Sequence, residues 1–372
     1  MVVRTRVPLR NGLSVVMKQL VSGLAFLGFS PGLPLPAQES RSSIVESELR
    51  TAIACAIPLL EKASAGFVEQ RDCFSCHSQA IPVFVLTKAQ KMGFVVDRDN
   101  LQRQIDHTFA HLKRGLRKYS EGTGQGGKVV TAGYALWTLD AGGHEPDDIT
   151  AAVSGFLLGY QEDSNHWQHT GRRPPSSGSP FMTSYVAMRG LDSFGTTEQQ
   201  ERITERRSAL WEWLNNTNPK DTEDHVFRLR LLSSTQYASN RIDQAREELL
   251  ALQRVDGGWA QLPDMESDAY ATGTVVSALL STNVQIRHGP AVRRAIKYLL
   301  NEQHDDGSWL VHTRAEGFQE YFESGFPHDK HQFISTSATS WATLALLDSL
   351  TGTDPDSNHR TAHTAIDDDR ND

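Results

Sequence analysis

The chain of 372 residues holds only three cysteines, too few for a disulfide-built scaffold. No run in it reads as the roughly 20 consecutive apolar residues that a membrane-spanning helix needs, so no span is expected in the mature chain. A basic stripe is also missing. The 37 Lys and Arg are scattered among 45 Asp and Glu, for a net charge of -8, and nucleic acid is not expected as a partner. Period-two alternation of apolar and polar residues is rare, which argues against sheets. What remains, 38% hydrophobic and 22% charged residues, suits a soluble globular protein.

The N-terminus reads as a processing segment. Arg4, Arg6, Arg10 and Lys18 precede an apolar run from Leu20 to Phe29. Pro31, Pro34 and Pro36 then break any helix, and Ala37 is a small residue ahead of Gln38. This order predicts a signal peptide over residues 1–37, and so an exported protein, periplasmic or extracellular. A retained anchor is the alternative. Removing the four basic residues takes the net charge of -8 to -12. At the other end, residues 351–372 are rich in Asp, Asn and Thr and are expected to form a disordered acidic tail.

Between these ends the pattern is helix, short polar loop, helix. Three segments align: Gln161 to Trp167, Gln253 to Trp259 and Gln303 to Trp309, with Gln six residues ahead of Trp each time. Such internal similarity is the signature of a repeat architecture. The helix after each motif is crowded with small residues, as in Thr272-Gly-Thr-Val-Val-Ser-Ala278 and Ser337-Ala-Thr-Ser340. The helix before it carries charge on one face, as in Ala291-Val-Arg-Arg-Ala-Ile-Lys297, which suits an outer position with one side in water. Six hairpins follow. The expected outer helices are 43–67, 98–118, 146–160, 198–214, 241–253 and 289–302. The inner ones are 78–92, 130–141, 181–193, 223–235, 267–281 and 335–350, the fourth hairpin being the least regular. The fold class expected is all-α: a six-hairpin α/α toroid, one domain over residues 42–350.

The Gln…Gly-x-Trp elements resemble the QW repeats of squalene cyclases and their prenyltransferase relatives. That resemblance is most specific at residues 250–350, through Asp256-Gly-Gly-Trp259, Glu266-Ser-Asp-Ala-Tyr-Ala-Thr-Gly273 and Phe322-Glu-Ser-Gly-Phe-Pro-His328. It implies that the Gln caps a neighbouring helix and that the Trp ties the toroid together without taking part in chemistry.

The sharpest local motif is Cys73-Phe-Ser-Cys76-His77. Two cysteines two residues apart, followed at once by His, form the attachment pattern of c-type haem. Both thiols would reach the two vinyl groups of one porphyrin, and His77 would ligate the iron from the proximal side. A strained disulfide, a vestigial motif and a zinc site are the alternatives, the last without a second Cys-x-x-Cys pair to complete it. The segment around the motif is similar to the start of exported toroid proteins that carry a cytochrome-c-type motif ahead of squalene-cyclase-like repeats. Cys55 reads as a buried small hydrophobe.

The catalytic candidates are Glu266 and Asp268. Class II terpene cyclases, by resemblance, protonate an alkene or epoxide with an Asp-rich motif, and Glu266 and Asp268 open an inner helix. The Asp-x-Asp-Asp pattern is absent there, since Ala269 follows Asp268, and those cyclases carry two toroid domains where this chain has length for one. Helix capping is the preferred reading of Asp268. The segment from Leu310 to Phe333 is longer than the other loops and holds His312, His328 and His331 with Phe318, Tyr321, Phe322 and Phe326. Long loops within compact domains are often functional. Ring closure would bring this loop beside Cys73–His77 at one mouth, with His328 and then His331 as candidates for the second axial ligand; water is the alternative.

Two functions follow. One is an exported haem-c protein used in electron transfer or redox sensing, with a redox protein as partner. The other is a haem-free toroid that binds a polyprenoid or glycan, a hydrophobic small molecule in the first case, in its axial cavity, with or without cyclase-like or prenyltransferase-like catalysis.

Overall fold

A computed structural model describes residues 46–350 apart from 170, 172, 173, 235–238, 316, 318 and 319. The expected signal peptide, the acidic tail and Phe318 lie outside the described residues. Thirteen α-helices run among those described. The outer ones are α1 (Glu46–Gln70), α3 (Arg98–Arg114) with its short extension α4 (Leu116–Ser120), α6 (Asp148–Gly159), α8 (Gln200–Asn216), α10 (Ser239–Ala251) and α12 (Pro290–Glu302). The inner ones are α2 (Ile81–Lys91), α5 (Lys128–Ala141), α7 (Pro180–Phe194), α9 (Thr222–Ser234), α11 (Ala269–Thr282) and α13 (Gln332–Ser349). No strand occurs among the described residues, and the six expected hairpins are all present.

Local chemistry sets the helix starts. Asp97, Ser179 and Asp268 each accept a backbone N–H from the first turn of α3, α7 and α11, and Asp147 forms a capping box with Thr150 at α6. Such caps each stabilise a helix by about 1 kcal/mol. Burial separates the two rings. In α12 only Val292, Ala295, Ile296 and Leu299 are buried, a single stripe. In α11 every residue from Ala269 to Leu280 is buried. The small residues let inner helices approach closely: a Cβ added at Gly273 would stand 2.6 Å from the backbone of α13.

The inner helices contact one another in chain order, and α13 packs against α2, which closes the ring. Each Trp of the repeat is fully buried and joins the two helices of its own hairpin. The indole N–H of Trp167, Trp259 and Trp309 donates to the carbonyls of Leu157, Leu249 and Leu299 on the outer helix. Their backbone N–H groups donate to Ser184, Thr272 and Thr339 on the inner helix. The Gln joins one hairpin to the next. Gln253 Nε2 donates to Ala291 O on α12 at 2.8 Å, and Gln303 Nε2 donates to Ala52 O on α1 at 2.9 Å. In the third repeat Arg206 of α8 does this work, donating to the carbonyls of Gln161, Glu162 and Ser164 with its guanidinium 4.0 Å from the Trp167 ring centre.

Two expectations are corrected. Cys55 is exposed on α1, because the helix turns that position away from the ring. By length and composition α1 is also apolar enough to cross a membrane. Here its buried stripe, from Leu49 to Phe67, packs in the ring as an outer helix.

Candidate active site

A cavity of about 490 Å³ opens at the rim where the inner helices begin. Cys73, Cys76 and His77 line it ahead of α2, Gly127, Val130 and Thr131 at α5, and Tyr270 at α11. The long loop before α13 contributes Thr313, Arg314, Tyr321, Phe322 and Lys330, and α13 itself adds Phe333. The loop and the Cys-x-x-Cys-His segment are thus neighbours, as ring closure predicts. Deeper along the axis the space is filled by aromatic side chains. Trp137 lies 4.2 Å from Phe84, 5.4 Å from Tyr185 and 6.5 Å from Trp341, centre to centre.

The individual sequence candidates part company here. Cys73 and Cys76 are not joined in a disulfide, and the His77 and Phe333 rings meet edge to face at 5.5 Å. His107 Nε2 lies 3.2 Å from the Cys73 carbonyl, and Arg114 donates to the Asp72 carbonyl, so α3 holds the segment in place. His328 and His331 do not line the cavity. His328 Nε2 sits 2.7 Å from Ser308 Oγ, against the sixth repeat motif, and His331 Nδ1 accepts the Thr313 N–H at 3.0 Å. Their hydrogen bonds fasten the long loop. A haem in the cavity would have to draw either one off these partners to use it as a ligand. Among the described residues no three His, Cys, Asp or Glu side chains are grouped to hold a metal ion.

Asp268 is occupied twice over. It caps α11 through the Ala271 N–H at 2.9 Å and pairs with Arg314. Glu266 is exposed and lies outside the cavity lining.

The carboxyl group with the environment of an acid catalyst is Glu223, in the first turn of α9. Its residue is 3% exposed. Burial pushes its carboxyl well above the usual carboxylate range, and the charges of Asp221 and Asp224 add to the shift. The hydrogen bond from Tyr270 and the charge of Arg230 oppose it without cancelling it. Tyr270 Oη donates to Glu223 Oε1 at 3.2 Å. Tyr134, on α5, is fully buried with its hydroxyl unpartnered. Burial raises both phenols well above 10, with Cys76 and Glu223 among the further causes, so both stay neutral. A buried carboxylic acid kept protonated at neutral pH can donate a proton.

Sequence reasoning missed this group, although a signal was present. Asp221-Thr222-Glu223-Asp224 has the spacing Asp-x-Asp-Asp with Glu in the third place, and it lay in the hairpin that looked least regular. The outer two acids have structural work. Asp221 accepts the Asp224 N–H at 2.9 Å, while Asp224 accepts from Ser179 Oγ at 2.6 Å and from the Lys220 N–H at 3.0 Å. Thr222 fixes the turn by donating to the Ala260 carbonyl. Glu223 is the one of the three bonded to Tyr270.

Residues 219–370 match the family model of the squalene-hopene cyclase C-terminal domain, a span that begins just ahead of this acidic run. The type II terpene cyclase MstE from Scytonema, in its ligand-free form, superposes with a TM-score of 0.53 at 16% identity. The match covers 81% of this chain and 98% of that one. A substituted form of MstE in complex with geranylgeranyl dihydroxybenzoate gives 0.54 at 15% identity, over 82% and 99%. The fold is that of a cyclase-like α/α toroid. A search of curated proteins found no match. The expectation that a terpene cyclase of this class needs two toroids is corrected: one toroid spans nearly the whole of MstE.

Proposed function

We propose that the axial cavity takes a hydrophobic molecule of the polyprenoid class and that Glu223 is the Brønsted acid that protonates its alkene or epoxide. One observation carries the reading: a carboxyl group buried at the mouth of a toroid and hydrogen-bonded to a tyrosine that lines an apolar cavity. The proton passes from Glu223 to a carbon of the double bond, leaving a carboxylate and a carbocation. Loss of a proton from that cation then completes an isomerisation or cyclisation. Phe67, Phe74, Tyr270, Phe322 and Phe333 around the cavity offer π faces that attract a cation. The match to the squalene-hopene cyclase C-terminal model over residues 219–370 and the complex of MstE with a geranylgeranyl compound support the same substrate class. Purified protein is incubated in D2O with squalene, oxidosqualene and geranylgeranyl arenes, and products are read by mass spectrometry. The reading expects a product carrying one deuterium from solvent, lost in Glu223→Gln. Turnover that survives in Glu223→Gln would sink it.

A second reading rests on a separate observation: Cys73, Cys76 and His77 all line this cavity. Haem c attached to the two thiols, with His77 on the iron, would occupy the same space and supply one-electron chemistry. It requires export, in keeping with the signal peptide read at residues 1–37. Co-expression with a cytochrome c maturation system, followed by an absorbance scan and a mass measurement, decides between the two. One added haem, absent from Cys76→Ala, favours this reading over the first.

A further inference from the structure

We infer that Tyr270 is the immediate proton donor to the substrate and that Glu223 recharges it in the same step. The inference rests on the reading of Glu223 as the acid and refines how its proton leaves. Tyr270 lines the cavity and Glu223 does not, yet the two are joined by the 3.2 Å contact between Tyr270 Oη and Glu223 Oε1. A substrate in the cavity therefore meets the phenol first.

Both partners are held in place. Tyr270 is the second residue of α11, whose start is capped by Asp268, itself paired with Arg314. Glu223 follows Thr222, which is fastened to the Ala260 carbonyl. Tyr270 is 1% exposed, so its hydroxyl has little bulk water to exchange with. A phenolic hydroxyl both donates and accepts, which lets it pass one proton on while taking another.

The step balances. The Tyr270 O–H bond breaks as a C–H bond forms on the alkene. The Glu223 carboxyl O–H bond breaks as a new O–H bond forms on the phenol oxygen. Tyrosine is regenerated neutral, the negative charge stays on Glu223 and the positive charge goes to the substrate. No phenolate forms, as the buried setting of Tyr270 requires.

Two measurements test the relay. In the first, wild type, Glu223→Gln and Tyr270→Phe turn over the isoprenoid probes in mixtures of H2O and D2O. Two protons in flight make the wild-type rate curve with deuterium fraction. Tyr270→Phe, which keeps the ring, should lower kcat by about 100-fold or more with KM little changed, and its residual rate should be linear in deuterium fraction. If Tyr270→Phe works within a few fold of wild type while Glu223→Gln is dead, the relay is overturned and the acid stands. If Glu223→Gln also retains wild-type turnover, the acid itself falls. The second needs no substrate. The infrared difference between wild type and Glu223→Gln isolates the carbonyl stretch of the protonated Glu223 side chain. Tyr270→Phe should shift that band to higher frequency, because a hydrogen bond to the carboxyl is lost. An unshifted band, in a variant whose circular dichroism matches wild type, overturns the inference.

Discussion

Replacing Gly307 by alanine tests how the ring is closed. Gly307 sits in the sixth repeat motif with φ of +91°, a region where a side chain costs about 1–2 kcal/mol. It also faces α1 directly: an added Cβ would stand 2.5 Å from the Cys55 carbonyl oxygen and 2.6 Å from its carbon. Those are backbone atoms of a long helix, so relief means pushing α12 and α1 apart. Overpacking of this kind costs about 1–3 kcal/mol more. The sum is roughly 2–5 kcal/mol, or about 4–10 °C in Tm at the roughly 2 °C per kcal/mol expected for a domain of this size. Gly93 is the control. Its φ is +83°, and nothing lies within 4 Å of the added Cβ, so Gly93→Ala should carry only the conformational part, about 1–2 kcal/mol. Thermal melts by circular dichroism, with urea titrations alongside, give both values. Equal destabilisation of the two variants would refute the claim that Gly307 is where the last hairpin meets the first.

Asp268→Asn should keep the cap of α11 and lose only the pairing with Arg314, so turnover should survive with a small drop in Tm; abolished turnover would make Asp268 the acid instead. Trp309→Phe should cost about 1–3 kcal/mol, because the Leu299 carbonyl loses its partner inside the ring, and a melt within error of wild type would contradict that. His111 is lowered to about 4, chiefly by burial and then by Arg114 and His107. Its folded state therefore holds the neutral ring, and stability is full above the ordinary value of 6.5. It falls as pH drops from there toward 4, since the unfolded chain takes the proton first. With part of the ring exposed, the loss is on the order of 2 kcal/mol. His111→Phe should flatten that part of the pH–stability curve, and an unchanged slope would assign it to other groups.

The toroid was legible because its repeats carry their own punctuation. Gln six residues before Trp marks the end of one outer helix, and the small residues of α11 and α13 mark an inner ring that only close packing explains. The adjacency of the long loop and Cys73–His77 followed from topology alone. The direction of single side chains did not. His328 looked available for the mouth, but Ser308 holds it at 2.7 Å. Asp268 and Glu223 both open inner helices, and sequence cannot tell which carboxylate is spent on a cap. The difference lies in neighbours brought from far along the chain: Arg314 to Asp268, and Tyr270 to Glu223.

The bond from Gln303 to Ala52 joins residues 251 positions apart. Contacts of such long range are slow to form, because the intervening chain must be ordered first. As the polypeptide emerges from the ribosome, α1 is made before every other described helix. Its flank against α13 stays bare until the last hairpin arrives. That flank belongs to the one described helix long and apolar enough to suit a bilayer. Until the circle shuts, that apolar flank lacks its α13 neighbour, which makes it a natural surface for a chaperone to hold.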